Sequence, residues 1–255
     1  MNKEELATYA QQDFNLPHDI VPLPSGGIFY KSKKKNVKVG YLTASDENIL
    51  ANINGRKTIK ETIIIPLLRS KLYESDLRPE ELLEGDVEAI LLFLRNTSFG
   101  PEYTLNLTDP KTGDVFEGTI LLDELNIKKP KQEPDEDGLF TVTLPTSNTT
   151  VKLKMLSLIE TMDIDKIIEY YPTGYNVPIV TTRLSKMVVD VNGDTDKAKI
   201  AMFCNNMPIR DSKFIRNFMS ENEPRLDLKR EVIAPSGERV DVQINFGVEF
   251  FRPFF

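Results

Sequence analysis

Residues 86–120 read DVEAILLFLRNTSFGPEYTLNLTDPKTGDVFEGTI, and the spacing of their apolar side chains changes part-way along. Between Val87 and Leu94 the apolar positions cover one broad face at the period of a helix, whereas from Tyr103 they alternate with polar residues. The first pattern predicts an amphipathic helix and the second a half-buried strand. Asp86 stands at the place of an N-cap, and Ser98-Phe99-Gly100-Pro101 supplies the stop. The segments 103–107 and 115–120 flank the turn Asp109-Pro110-Lys111-Thr112-Gly113-Asp114, which predicts a β-hairpin. A helix running into an antiparallel hairpin indicates an α+β chain.

Upstream, Leu23-Pro24-Ser25-Gly26-Gly27 is turn chemistry, followed by Ile28-Phe29-Tyr30 as a short strand and Val37 to Leu42 as a second. The lysines Lys31, Lys33, Lys34 and Lys35 fall at the tip between these strands. A helix opens at Thr43-Ala44-Ser45-Asp46-Glu47, and another covers 59–72 with Pro66 as its kink or break.

Downstream, the order repeats. Leu144-Pro145 echoes Leu23-Pro24, Val151 to Ser157 echoes Val37 to Thr43, Asp196 to Phe203 echoes Asp86 to Phe93, and the turn at Ala234-Pro235-Ser236-Gly237 echoes that at Asp109 to Gly113. This predicts two tandem related α+β units, each with hairpins and a small helical cluster. Residues 1–20 form an N-terminal arm, 21–127 the first unit, 128–138 a charged linker or exposed loop, and 139–255 the second unit.

The 255 residues carry a formal charge of −7, with one His, one Cys and no Trp. An acidic chain is a poor general binder of nucleic acid, which needs a basic surface to displace counterions. His18 and Cys204 are too few for a zinc site of Cys and His ligands, and one cysteine forms no internal disulfide. The start MNKEELATYAQQDF lacks the apolar core of a signal peptide, and no run approaches the length needed to span a bilayer. The expectation is a soluble, intracellular protein with no membrane association.

No set of residues assembles an enzyme. Asp190-Val191-Asn192-Gly193-Asp194 resembles the start of a calcium loop, but Gly stands at the wrong position and Ala201 replaces the bidentate Glu, leaving an Asx turn that caps a helix. Gly55-Arg56-Lys57-Thr58 lacks the spacing of a phosphate loop, and Ser25-Gly26-Gly27 is no nucleophile elbow. His18 reads as a surface residue in an irregular arm, Cys204 as a small core residue, and the acids at 135–137 and at Asp163 and Asp165 as solvated charges. The expectation is a protein without catalysis, cofactor or metal.

Two features point to partners instead. The lysine run at 31–35 offers a local contact for an acidic surface. Five of the fourteen Phe lie in the last ten residues, Phe246, Phe250, Phe251, Phe254 and Phe255. The tail is either the closing strand of the second unit or a hydrophobic docking peptide. Lys31, Lys33, Lys34, Lys35, Phe250, Phe251, Phe254 and Phe255 are therefore the candidate partner-binding residues.

Leu23-Pro24-Ser25-Gly26-Gly27, Leu42 to Glu47, Glu84-Gly85-Asp86 leading to Leu94-Arg95, Phe99-Gly100-Pro101-Glu102-Tyr103, Met207 to Ser212, Glu223 to Asp227 and the ending Phe250-Phe251-Arg252-Pro253 occur in that order. Together they resemble the baseplate hub assembly family of T4-type contractile-tailed bacteriophages, from residue 20 to the end. The resemblance implies Cys-x-x-Cys pairs at the two hairpin turns, as zinc-ribbon-like sites, yet neither turn here contains cysteine. It also implies a non-enzymatic role in building the baseplate or its central hub, with other hub or tape-measure proteins as partners. The place of action would be the host cytoplasm during assembly and the virion tail. The other reading is a transient tape-measure or tail assembly chaperone missing from the finished particle. Retention in the particle and homo-oligomerisation stay open.

Overall fold

The computed structural model describes residues 17–51, 58–172 and 174–251. In the first half, strands β1 (His18–Pro22) and β2 (Asn36–Gly40) pair and are followed by helix α1 (Ala44–Ala51). A π-turn (Lys60–Ile64) then runs directly into α2 (Ile65–Lys71), and α3 (Glu84–Phe99) leads to the hairpin β3 (Glu102–Thr108) and β4 (Val115–Leu121). Strand β5 (Ile127–Lys128) ends this half. In the second half, β6 (Leu139–Thr143), β7 (Thr150–Lys154) and β8 (Val188–Val191) form one sheet. Between β7 and β8 lie α4 (Leu158–Glu169) and α5 (Ile179–Met187), and after β8 come α6 (Lys197–Asn205), α7 (Ile209–Asn222), β9 (Arg225–Leu226) and the hairpin β10 (Lys229–Ile233) with β11 (Arg239–Gln243). All named strand pairs are antiparallel, so the chain is α+β.

The change of period at residue 100 is realised as expected. In α3 the residues Val87, Ile90, Leu91 and Leu94 are buried. Gly100 takes a left-handed φ of 80° before Pro101, ending the helix. Arg95 turns back to this end, where its guanidinium donates to the carbonyls of Gly100 and Glu102 and lies beside the rings of Phe99 and Tyr103. In the hairpin, Tyr103 stands opposite Ile120 and both are buried. Pro66 occupies the first turn of α2, where its missing N–H costs no helical bond.

Three local expectations are corrected. Ile28 to Tyr30 is not a strand: the amides of Gly26, Ile28 and Tyr30 each donate to the carbonyl three residues back, and Gly26 and Gly27 both have positive φ, so the chain coils through consecutive turns. His18 lies in β1 opposite Gly40 rather than in an irregular arm. Asp86 is not the N-cap of α3, which is Leu83. Instead it sits in the first turn, fully buried, and its carboxylate accepts from the amide of Ser25 at 2.8 Å and from the hydroxyl of Tyr30.

The same device recurs. Asp211, in the first turn of α7 and also fully buried, accepts from the amides of Thr146 at 2.7 Å and Ser147 at 3.0 Å. Each helix thereby holds a Leu-Pro turn that leads into or out of a hairpin strand. Asp196, by contrast, is exposed and caps α6 by accepting from the amides of Ala198 and Lys199.

One hydrophobic cluster runs from Val21 to Phe251 through both halves. The amide of Leu158 donates to the carbonyl of Leu82 at 2.7 Å, and β5 pairs with β9, opposing Ile127 to Leu226. Residues 129–138 follow β5 as irregular chain, anchored by Gln132 N–H to Asn222 Oδ1 at 2.7 Å and by the ion pair Lys131–Glu221 at 3.0 Å. At Gly85 in α3 a Cβ would lie 2.0 Å from the carbonyl oxygen of Pro224, so only glycine permits this backbone approach.

Candidate interaction surface

Of the four lysines at the β1–β2 loop, Lys34 is committed internally: its ammonium pairs with Glu74 and, at 2.5 Å, with Asp76. Lys33, at a positive φ of 51°, reaches the carbonyls of Ile28 and Glu136. Both side chains thus tie the loop to its own surroundings. Lys31 and Lys35 are exposed, and Lys31 lines a cavity of about 520 Å³ with Lys154, Glu81 and Glu160. Two of the four candidate lysines, Lys33 and Lys34, are thus held by neighbouring parts of the chain.

The aromatic tail is corrected more deeply. Phe250 is 0 % exposed and Phe251 is buried beside it. They sit in a short 3-10 turn (Val248–Phe251), not a strand, with Phe250 edge-on to Tyr103, Phe246 and Phe251. Edge-to-face packing of this kind satisfies the ring quadrupoles inside a core. These two residues present no docking surface. Phe254 and Phe255 lie outside the described residues, as does Gly55-Arg56-Lys57.

One band of exposed apolar side chains runs from the end of α4 across the connection to the start of α5. Ile167, Tyr170, Tyr175, Ile179 and Val180 are all exposed, with Tyr170 at 77 % and Tyr175 at 73 %. The stretch IIEYYPTGYNVPIV, 167–180, carries a single charged residue, Glu169, and two prolines beyond the end of α4. Exposed tyrosines on a proline-restricted loop give large contact area at low entropic cost. Its signal in the sequence was this near absence of charge, which reads equally well as core.

A second concentration of polar groups fills the junction between α3, α4, α5 and α7. A cavity of about 300 Å³ there is lined by Glu84, Glu223, Arg183, Arg216 and Arg225 above Met155, Met187 and Met219. Arg225 reaches Glu88 at 3.8 Å and Glu223 at 3.7 Å. Burial pushes the Glu88 carboxyl up to about 7 despite Arg225, and burial likewise raises Glu223. These residues come from positions 84 to 225 and no local pattern in the sequence announces them.

The other candidates are buried or held by neighbouring side chains. Cys204 is buried. Gly193 donates its amide to Asp190, and Asp194 pairs with Lys199, so the calcium-like segment is a turn closed on itself. Asp163 pairs with Lys186 at 3.2 Å and Asp165 with Lys60 at 3.5 Å. Among the described residues no group of three His, Cys, Asp or Glu is placed to hold a metal, and no helix is long and apolar enough to cross a membrane. At the two hairpin turns, the carboxylate of Asp109 accepts from the amide and hydroxyl of Ser236.

A family model described as T4 bacteriophage base plate protein matches residues 28–252, most of the chain. The chain belongs to that family. The matched span contains the α4–α5 loop, the arginine-lined cavity, both hairpin turns and the buried Phe250 and Phe251. Neither a curated protein nor a solved structure matches the chain. As a base plate family member it is a bacteriophage protein of the tail baseplate, which agrees with the resemblance read from its ordered motifs.

Proposed function

We propose that this base plate protein acts without catalysis in the assembly or structure of the baseplate's central hub, through contacts with other hub or tape-measure proteins, which it meets in the host cytoplasm. The observation that carries this reading is the exposed band from Ile167 to Val180, centred on Tyr170 and Tyr175. Tyrosines are enriched where protein surfaces meet, because the ring desolvates favourably while the hydroxyl keeps a hydrogen-bond partner. The repeated aspartate clamps at Asp86 and Asp211 support a tandem origin for the two halves, with α3 and α7 as counterparts.

The test is co-purification of tagged protein from infected cells. Replacing Tyr170 and Tyr175 by Ala removes exposed side chains, so stability should move by no more than about 0.5 kcal/mol per site. Recovery of other baseplate proteins should fall sharply. Undiminished recovery with the doubly substituted protein would reject the band as the contact.

The same band, on an interhelical loop, also suits a reversible contact, as a transient assembly chaperone would make. Mass spectrometry of purified virions separates the two readings, since a chaperone is missing from the particle.

A further inference from the structure

The arginine-lined cavity at the junction of the two halves has unused binding capacity. Arg183, on α5, has its Nε buried with no hydrogen-bond partner. Arg216, on α7, donates its Nε to the carbonyl of Ser212 at 3.4 Å. Among the described residues neither guanidinium has a carboxylate within ion-pair distance. Of the acids that line the cavity, Glu84 is already held by Lys60 at 2.7 Å, and Glu223 faces Arg225 at 3.7 Å and, beyond ion-pair distance, the charge of Arg183. Burial also favours the neutral form of Glu223. Three arginines and two glutamates line the cavity, and although Arg216 is exposed, the buried Nε of Arg183 is out of water without an acceptor, which is costly until one arrives.

The shape of the missing group follows from what surrounds the arginines. A planar guanidinium fork matches a carboxylate or a phosphate. Met155, Met187 and Met219 form the apolar part of the lining, and flexible thioethers adapt to a hydrocarbon stem. An inorganic anion makes no use of them. A volume of about 300 Å³ holds one or two side chains rather than a whole helix.

We propose that this cavity receives an acidic side chain, Asp or Glu, from a partner protein, with its carboxylate on Arg183 and Arg216 and its methylenes against the methionines. The inference rests on the reading that the protein works by protein–protein contact, and it adds a polar specificity site to the aromatic band. Such a site fixes register, because a partner lacking the acid leaves the buried Nε of Arg183 unsatisfied.

The experiment is complementation of a phage deleted for this protein, with Arg183→Glu/Arg216→Glu expressed in the host. The purified variant should unfold at a temperature close to that of the unsubstituted protein, and plaque yield should fall by about tenfold or more, the scale of losing a partly buried charge contact. Suppressors should replace an Asp or Glu of another tail protein with Lys or Arg. Normal yield from folded variant overturns the proposal, and so do suppressors confined to this chain, which would make the occupant internal. Should the charge reversal prevent folding, Arg183→Gln/Arg216→Gln removes the cations without adding carboxylates and carries the same expectations. Inorganic phosphate serves as the control ligand: if it stabilises the unsubstituted protein while the folded variant complements fully, the site is a general anion site. If the deleted phage itself grows normally, the hub reading fails and takes this one with it. A deletion that is lethal beside a variant that complements sinks this inference alone.

Discussion

Asp109 and Ser236 are 127 residues apart, and they fasten the tips of two hairpins together. The amide of Ser236 reaches Asp109 Oδ2 at 3.0 Å and its hydroxyl reaches Oδ1 at 2.7 Å, while the amide of Lys111 donates to Oδ1 at 2.9 Å. Strand β4 packs along β10 behind this contact. Two-stranded hairpins are marginal alone. Here each supports the other, through a polar clasp at turns that contain no cysteine.

The clasp predicts an acid-sensitive junction. Burial raises the Asp109 carboxyl, but the hydrogen bonds from Ser236, Lys111 and Thr112 outweigh it and hold the group below its usual value. A depressed folded-state value gives stability that is present above the usual carboxylate range and is lost as pH falls through the depressed value. Ser236→Ala should lower stability at neutral pH by about 0.5–1.5 kcal/mol and reduce the acid-side decline, as read by urea unfolding at several pH values.

Gly85→Ala should destabilise the protein, although in a helix this exchange ordinarily gains about 1 kcal/mol. The new Cβ would stand 2.0 Å from the Pro224 carbonyl oxygen and 2.7 Å from the Arg225 Cα. Both are backbone atoms, so the junction must open, at an expected cost of about 1–3 kcal/mol. Thermal unfolding decides the sign.

Phe250→Ala should cost about 3–5 kcal/mol, the range for emptying a buried aromatic site. Loss of assembly after removing the whole aromatic tail would therefore report unfolding rather than lost docking. Truncation after Phe251 separates the two, because it spares the buried pair. Circular dichroism of both forms provides the check.

Glu88→Gln should stabilise the protein above neutrality. Its carboxyl is lifted by burial from the usual 4.5 to about 7, with Arg225 opposing the shift. A raised folded-state value means stability that is complete below about 4.5 and is lost as pH rises through about 7. The amide variant cannot ionise, so its advantage should appear across that window and reach at most about 3 kcal/mol. Denaturant midpoints at about pH 4 and about pH 8, on either side of the window, measure it.

What could be read from the sequence depended on how far apart the interacting residues lie. Helix α3 and the β3–β4 hairpin were legible because each carries its own period and stop signal within 35 residues. The turns at Ile28 to Tyr30 were not, since three apolar residues fit a strand until Gly26 and Gly27 are seen to reverse the chain. The two-residue strands β5 and β9 are too short to show any alternation. The candidate surface was read least well, because its cues are ambiguous one residue at a time. Lys34 looked free until Glu74 and Asp76 were placed beside it, and Phe250 looked adhesive until Tyr103 was. Arg183 and Arg216 gave no signal at all, because their shared cavity exists only once α5 and α7 meet.

The pairing of β5 with β9 has a consequence for how the chain is made. Ile127 and Lys128 emerge from the ribosome long before Leu226 and Arg225, their ladder partners, and the backbone that covers Gly85 arrives at the same late moment. Until then the completed first half keeps an open strand edge and an uncovered helix start, features that invite pairing with other chains during synthesis. A nascent chain of this protein therefore passes through a window in which its earlier half is exposed to wrong partners, and the window closes only when Pro224 to Leu226 fold back over it.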